Sequence, residues 1–445
     1  MKKFIQTIKD IWTIEELRNK ILSTLFLILI YRFGSYIVLP GIDPNKLTDF
    51  SQKSSQGLLG LFDAFAGGAF SHASILALGI MPYISASIFM QLMTILVPQF
   101  QKIQNEGDSG RKKINQLTRY LTCAVTLLQA GAYVTYLQTQ NRDALIESYP
   151  YFWISTVVLL TAGTLFVMWL GEKIQDKGLG NGTSIIIMVG ILSRLPTSFI
   201  QEFGAKQVKG GGGLLIFLIE LAILIAVILG LIILVQGVRK VPVNYAKQIV
   251  GNRQFTGARQ FLPLKVNAAG VMPIIFAQAI MFLPTLFSFT NFETGKGLAR
   301  IFNDHSNFWY MVIYGVMVIA FTFLYTALIF NPKQISDNLK QSNGFIPGVK
   351  PGQTTADYIG QIMDRITLPG AFFLAIVGIL PGVAQRLGVT PGYSTFFGGT
   401  SLLIMVGVIL DTLQQIETHL LMRQYDGLMK TGRIQGRQTA SPVSY

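Results

Sequence analysis

The sequence predicts an all-α polytopic membrane protein with ten transmembrane helices in two inverted halves of five. Two bulk observations and one pattern carry this. The 445 residues are 51% hydrophobic and only 13% charged, with a mean hydropathy of +0.47. Soluble domains run near 25% charged. Ten segments reach the length of about 20 mostly apolar residues that a bilayer core requires. They are approximately 21–41, 73–96, 116–138, 152–171, 183–203, 214–236, 268–290, 308–330, 367–385 and 398–418.

Charge orients these spans. Of the 36 lysines and arginines, twenty-six fall on the side that holds the N-terminus and eight on the other. That side is therefore cytoplasmic, and an even number of spans places both termini there. Residues 1–20 lack the continuous apolar core of a cleavable leader. Phe4, Ile5, Ile8, Ile11 and Trp12 recur at helical spacing, which predicts an amphipathic helix on the cytoplasmic membrane surface. The chain then divides into a first half, 21–208, and a second, 214–418. The Gly-rich segment 209–213, "KGGGG", joins them, and a tail follows over 419–445. With an odd number of spans in each half, the halves are related by an axis in the membrane plane. Poly-Gly has the loosest backbone available, so the segment is read either as a hinge or as a plain connector.

No catalytic constellation is present: there is no GxSxG, Walker A or HExxH pattern. The only cysteine is Cys123, and the three histidines are scattered, so neither a disulfide nor a metal site is expected. No enzyme activity and no cofactor follow from the sequence. "GLGNG" at 178–182 precedes a membrane helix and follows no strand, which argues against a phosphate loop. Arg32, Glu220 and Asp411 are ionisable positions in spans. They lie too far apart for a relay and are read as internally paired.

The second span carries more. Ile80 and Ile84 share one helix face. Gly79 and Pro82 weaken the backbone ladder, and Ser85, Ser87 and Gln91 are polar positions able to bond a neighbouring helix. Before it lies "GLLGLFDAFAGGAFSHASI", 57–75, apolar yet too short to span. Two cytoplasmic loops are long. The first, 237–267, has six basic and no acidic residues; the second is 331–366. Their length and charge suit docking of an acidic partner, such as ribosomal RNA or an acidic protein face.

The chain resembles the SecY/Sec61-alpha family, the central channel subunits of the Sec protein translocase. The likeness runs end to end. It rests on "YRFGSYIVLPGID" (31–43), "ALGIMPYISASI" (77–88), "EGDSGRKKI" (106–114), "WLGEKIQDKGLGNGTSIII" (169–187), "VNYAKQ" (243–248), "LPLKVNAAGVMP" (262–273), "YTALIFNP" (325–332) and "FFGGTSLLI" (396–404). The resemblance implies a passive protein-conducting channel in the bacterial plasma membrane. It would pass unfolded preproteins across and release transmembrane segments sideways into lipid.

The implied pore ring is Ile80, Ile84, Ile187, Ile275 and Ile404, all isoleucine here. The implied plug is a helix over about 60–70, including Leu61, Phe62, Asp63, Ala64, Phe65, Gly67, Gly68 and Phe70. Its small residues would make contacts loose enough to release. The implied lateral gate faces Ser85, Ser87 and Gln91 toward Asn267. Signal sequences would intercalate there. The two long loops match the family's docking site for the SecA ATPase and the translating ribosome, with Arg253 and Lys350 at basic positions. Asn252 stands where the family often has a basic residue. Lys350 stands where it commonly has arginine, which keeps the charge and loses the planar fork. SecE and SecG are the implied companion subunits. A secondary transporter would instead converge polar groups at the midplane, where this chain converges isoleucines. An accessory translocase for a few glycoprotein substrates would show diverged cytoplasmic loops, which are absent. An intramembrane enzyme would need paired catalytic residues.

Overall fold

Helices account for most of the computed structural model, which describes residues 12–44, 63, 65–140, 151–208, 213–245, 248–250, 253–255, 259–286 and 307–430. Of the expected surface helix 1–20 only residues 12–20 are described, and 15–20 continue into the first span as one helix; the segment 209–213, except Gly213, and most of the tail fall outside the described residues.

In the first half, α1 is Glu15–Gly34, α2 is Met81–Leu96, α3 is Pro98–Asn105, α4 is Asp108–Gln140, α5 is Tyr151–Lys177 and α6 is Gly182–Val208. The second half opens with α7, Gly213–Gln236. It continues through α8 (Met272–Leu286), α9 (Phe308–Ile329), α10 (Pro332–Gln341), α11 (Gln353–Arg386), the short α12 (Pro391–Ser394) and α13 (Gly399–Lys430). Among the described residues seven helices are long and apolar enough to cross a membrane, and α2 with α3 makes an eighth if that pair is one broken span. The remaining two expected spans are α1 and α8. Glu15, Glu16, Arg18 and Lys20 crowd the start of α1, and α8 is described for only 15 residues.

The second span departs from expectation. Its helix begins at Met81, with Pro82 in the first turn and Ile80 as the N-cap. Pro82 therefore starts a helix rather than kinking one, because its missing N–H is unneeded in a first turn. Gly79, at φ +54°, makes the turn before it. At the other end Val97 is extended (φ −105°, ψ 116°) ahead of Pro98, as a residue before proline prefers. There the chain bends by 100° into α3. Interior prolines sit at Pro196 in α6 and at Pro369 and Pro381 in α11.

The described parts of the long segment 237–267, expected on the cytoplasmic side, are largely strands. They form a β-hairpin in an otherwise helical chain. Strand β1 (Val238–Tyr245) pairs antiparallel with β4 (Arg259–Lys265), Val241 opposite Leu262 and Val243 opposite Gln260. Between them β2 (Gln248–Val250) and β3 (Arg253–Phe255) form a second ribbon. Strand β5 (Gly344–Phe345) adds to the far edge of β1. Alternation explains the sheet: Val241, Val243 and Leu264 turn inward onto Leu339, Ile346, Ile359 and Met363. A period of two buries Val241, Val243 and Leu264 on one face and leaves Lys240 and Lys265 on the other, with Arg239 following the inward face beyond the core.

Polar groups inside the helical body bond locally. Thr118, Thr122 and Thr126 of α4 each donate to the carbonyl four residues back, at 2.9, 2.7 and 2.6 Å. Where water is absent, such back-bonding is how a hydroxyl is satisfied. Helix α6 packs against α7, α12 and α13, joining the two halves along one side. On the opposite side α2 packs on α4, and its touch on the second half is slight.

Candidate channel, plug and lateral seam

Four of the five expected ring isoleucines come together. Ile80, Ile187 and Ile404 are buried in one apolar cluster shared by both halves, and Ile84 packs on it. Three elements deliver them: the start of α2, the first turns of α6 and the first turns of α13. Asn181 caps α6, its side-chain oxygen accepting from the Thr183 amide at 3.2 Å, so Ile187 is held by a fixed helix start. Ile275 is half-buried on α8 and is not among the residues gathered with the other four. Its neighbour Ile274 is fully buried in the second half's own core. Branched apolar side chains in a constriction repel water and ions without binding any particular residue.

Against this cluster, with Phe65 as a member of it, lies the segment expected as the plug. Leu61, Phe62 and Ala64 fall outside the described residues, while Asp63, Phe65, Gly67, Gly68 and Phe70 are all buried. Asp63 and Phe65 are helical, and from Ala66 the chain runs in successive turns to Ile80 rather than continuing the expected helix, with one bridge from Ser74 to Val38. Gly67 and Gly68 are the physical reason: both adopt positive φ, +66° and +91°, which a right-handed helix cannot contain.

The segment is held by polar contacts from three helices. Asp63, fully buried, is ion-paired with Arg194 of α6 and accepts from the Ser71 amide at 2.9 Å. Arg194 also donates to the Ser71 hydroxyl at 3.3 Å. Arg32 of α1 donates to the Gly67 carbonyl at 3.1 Å, and Tyr133 of α4 donates to the Phe70 carbonyl at 2.8 Å. Gly67 also packs directly on Gly190: a Cβ there would meet the Gly190 Cα at 2.8 Å. The contacts are thus closer and more polar than loose small-residue packing implied.

The seam between halves holds a different pair from the one expected. Tyr325 of α9 donates to the Gln91 side-chain oxygen of α2 at 3.1 Å. Ser85 bonds back to the Met81 carbonyl at 3.1 Å, and Ser87 is half-buried. Asn267 lies in the turn after β4, and its buried side-chain oxygen has no bonding partner. Phe276 of α8 stacks on Phe321 of α9 beside Tyr325, with centroids 5.9 and 6.1 Å away.

Sequence reasoning missed Arg194, although an arginine inside an apolar span is itself a signal. It also missed Tyr325, because a tyrosine in an apolar span reads as packing. Of the three ionisable span residues it named, Arg32 and Glu220 are paired, but Asp411 is exposed. It lies on an open face of α13, while Thr412 and Gln415 beside and beyond it still meet Gly180.

In the loops expected to dock a partner, Arg253 opens β3, and Asn252 lies outside the described residues. Lys350 is exposed while its carbonyl accepts from the Thr355 hydroxyl at 2.8 Å, so a fixed backbone presents a free charge.

A family model described as SecY matches residues 74–413. The chain belongs to the SecY family. It is 38% identical to a "Protein translocase subunit SecY" of Corynebacterium glutamicum, over 97% of this chain and all of the relative. Its fold matches a SecY channel whose plug domain is described as stabilising the closed state and maintaining a membrane seal. That match has a TM-score of 0.61 at 15% identity, covering 90% of this chain and 92% of the other. The canine Sec61 of a ribosome-channel complex matches with a TM-score of 0.56 at 14% identity, over the same shares. A SecY fold accounts for the geometry above: two halves joined along α6, a buried isoleucine cluster between them, and a turn-built segment seated on it.

Proposed function

We propose that this SecY-family chain is the protein-conducting channel of a general secretory pathway in a bacterial plasma membrane. Preproteins pass unfolded along the axis through Ile80, Ile84, Ile187 and Ile404, with Ile275 joining the ring when α8 shifts toward the axis. The segment around Asp63–Phe70 plugs the idle channel. Transmembrane segments leave between α2 and α9, because a spanning helix is stable only in lipid. The observation that carries this reading is the isoleucine cluster built from both halves, with a polar-latched segment packed against it through Phe65.

The chain holds no nucleotide motif, so the driving force comes from outside. SecA or a translating ribosome docks on the β2–β3 ribbon with Arg253 and on the loop bearing Lys350. SecE and SecG complete the complex. Both termini face the cytoplasm. Depletion of the chain, followed by an assay of many secreted precursors, tests the reading. Broad precursor accumulation is expected. Accumulation of a single substrate supports an accessory translocase instead.

A further inference from the structure

A cavity of about 390 Å³ lies away from the channel axis, lined by Arg239, Tyr358, Gln361, Ile362, Arg365 and Ile366. Two elements build it. Arg239 is on the inward face of β1, in alternation with Val241 and Val243. It sits beyond the end of the buried core, just where β1 leaves α7. The other five residues fall on one face of the first turns of α11, at spacings of three and four. Neither arginine has a carboxylate partner among the described residues. Two guanidinium groups lining one concave site attract an anion, and a phosphate's oxygens match their forked donors.

The surroundings identify which phosphate. The face of α11 that carries Arg365 continues through Leu368, Phe372 and Ile376, each more than half exposed at 51, 53 and 58%. Close by, α11 packs on α7: a Cβ on Gly230 would meet the Phe373 ring at 3.2 Å. An apolar, exposed stripe thus begins at the cavity and runs along a membrane-spanning helix. A free phosphate or nucleotide has no use for such a stripe, whereas an acyl chain lies along it.

We propose that this cavity holds the phosphate headgroup of an acidic phospholipid from the leaflet on the β-sheet side. Arg239 and Arg365 clasp the phosphate, Tyr358 and Gln361 contact the glycerol region, and one acyl chain lies on Leu368, Phe372 and Ile376. Such a lipid ties the base of the β-hairpin to α11.

The test uses the full chain in the complex extracted from its own membrane. Native mass spectrometry reads retention of phosphatidylglycerol against phosphatidylcholine from an equimolar mixture. The wild type is expected to retain phosphatidylglycerol selectively, and excess inorganic phosphate is expected to leave that retention unchanged. An Arg239→Gln/Arg365→Gln variant is expected to lose selectivity, by about fivefold for each arginine, with unchanged melting in phosphatidylcholine. Equal retention of both lipids by the wild type overturns the proposal, whatever the variant does. Displacement by inorganic phosphate overturns the lipid assignment and leaves a free-anion site. Selectivity that survives in the folded variant overturns the role of the two arginines.

Discussion

Lys206 lies 2.7 Å from Glu220 across the joint where α6 of the first half meets α7 of the second. The same ammonium is 3.4 Å from Glu202 and donates to the Gly388 carbonyl at 3.2 Å. Glu202 in turn accepts from the Thr390 amide at 2.8 Å and from its hydroxyl. One buried lysine therefore pins α6, α7 and the 387–390 turn together at the side where the halves are joined. In the proposed mechanism the joint stays closed through this cluster while the α2–α9 side opens.

Removing the lysine leaves two buried carboxylates without a counter-charge. Breaking a buried ionic set in this way costs about 3–5 kcal/mol. Lys206→Met is expected to lower the melting temperature of the purified complex strongly. Adding Glu202→Gln and Glu220→Gln is expected to restore much of the loss. A single variant that melts like the wild type would show that the cluster does not hold the joint.

The Asp63–Arg194 pair predicts how firmly the plug sits. Asp63→Asn keeps the Ser71 amide contact and removes the charge. Charge-assisted bonds are worth about 1.5–3 kcal/mol, so the plug should be displaced roughly tenfold to a hundredfold more often. Idle ion conductance in planar bilayers measures this, and it should rise in Asp63→Asn and in a deletion of 61–70. Exchanging the partners, Asp63→Arg with Arg194→Asp, should bring it back toward the wild-type level. Unchanged conductance in the deletion removes the plug role altogether.

Gly67 predicts a steric counterpart to that electrostatic latch. A Cβ there meets Arg32 Nη1 at 2.7 Å and the Gly190 backbone at 2.8 Å, at a φ of +66°. A β-branched residue pays twice, in backbone strain and in overlap. Gly67→Val should leak ions in the idle state while export continues. Gly204, with nothing within 4 Å of a Cβ, is the matched control, and Gly204→Ala should seal normally.

At the seam, loss of the Tyr325 hydroxyl removes one bond between α2 and α9. A neutral bond contributes about 1 kcal/mol, so Tyr325→Phe should favour the parted seam by about fivefold. Precursors with weakened signal sequences should then be exported better. Cys123 is the only native cysteine, so in a Cys123→Ser background Gln91→Cys with Tyr325→Cys gives a clean pair. A short bifunctional thiol reagent should join them in the idle protein and block export. Efficient joining with unimpaired export contradicts an exit between these helices.

The helices were legible because their cause is local: apolar length defines a span. The isoleucines were legible only in part, since spacing put Ile80 and Ile84 on one helix face while Ile187, Ile275 and Ile404 came from the family resemblance. The latches were not legible, because Asp63 and Arg194 are 131 residues apart and Gln91 and Tyr325 are 234 apart. No spacing rule links such pairs. The plug read as a helix through Phe70 because its apolar residues suit one, whereas the helical residues Asp63 and Phe65 give way to turns at the positive φ of Gly67, which lies against Gly190 of α6, and of Gly68. The β-hairpin at 238–265 was hidden by its charge, although Val241 and Val243 already showed the period of two.

Lys350 predicts a separation between folding and export. Its side chain is exposed, and only its backbone carbonyl is engaged, by Thr355. Reversing the charge should therefore leave the fold intact, since surface substitutions of this kind usually change stability by no more than about 0.5 kcal/mol. An acidic docking partner, by contrast, meets repulsion where it met attraction, and rim charges act mainly on association rate. Lys350→Glu should slow motor-driven export at low salt, with the deficit shrinking as ionic strength screens the contact. Lys350→Arg should export at least as well as the wild type, because the planar fork keeps the charge and can grip a carboxylate or phosphate through two parallel bonds. Normal export by Lys350→Glu at low salt would place the motor's contact elsewhere, with the β2–β3 ribbon around Arg253 as the next surface to reverse.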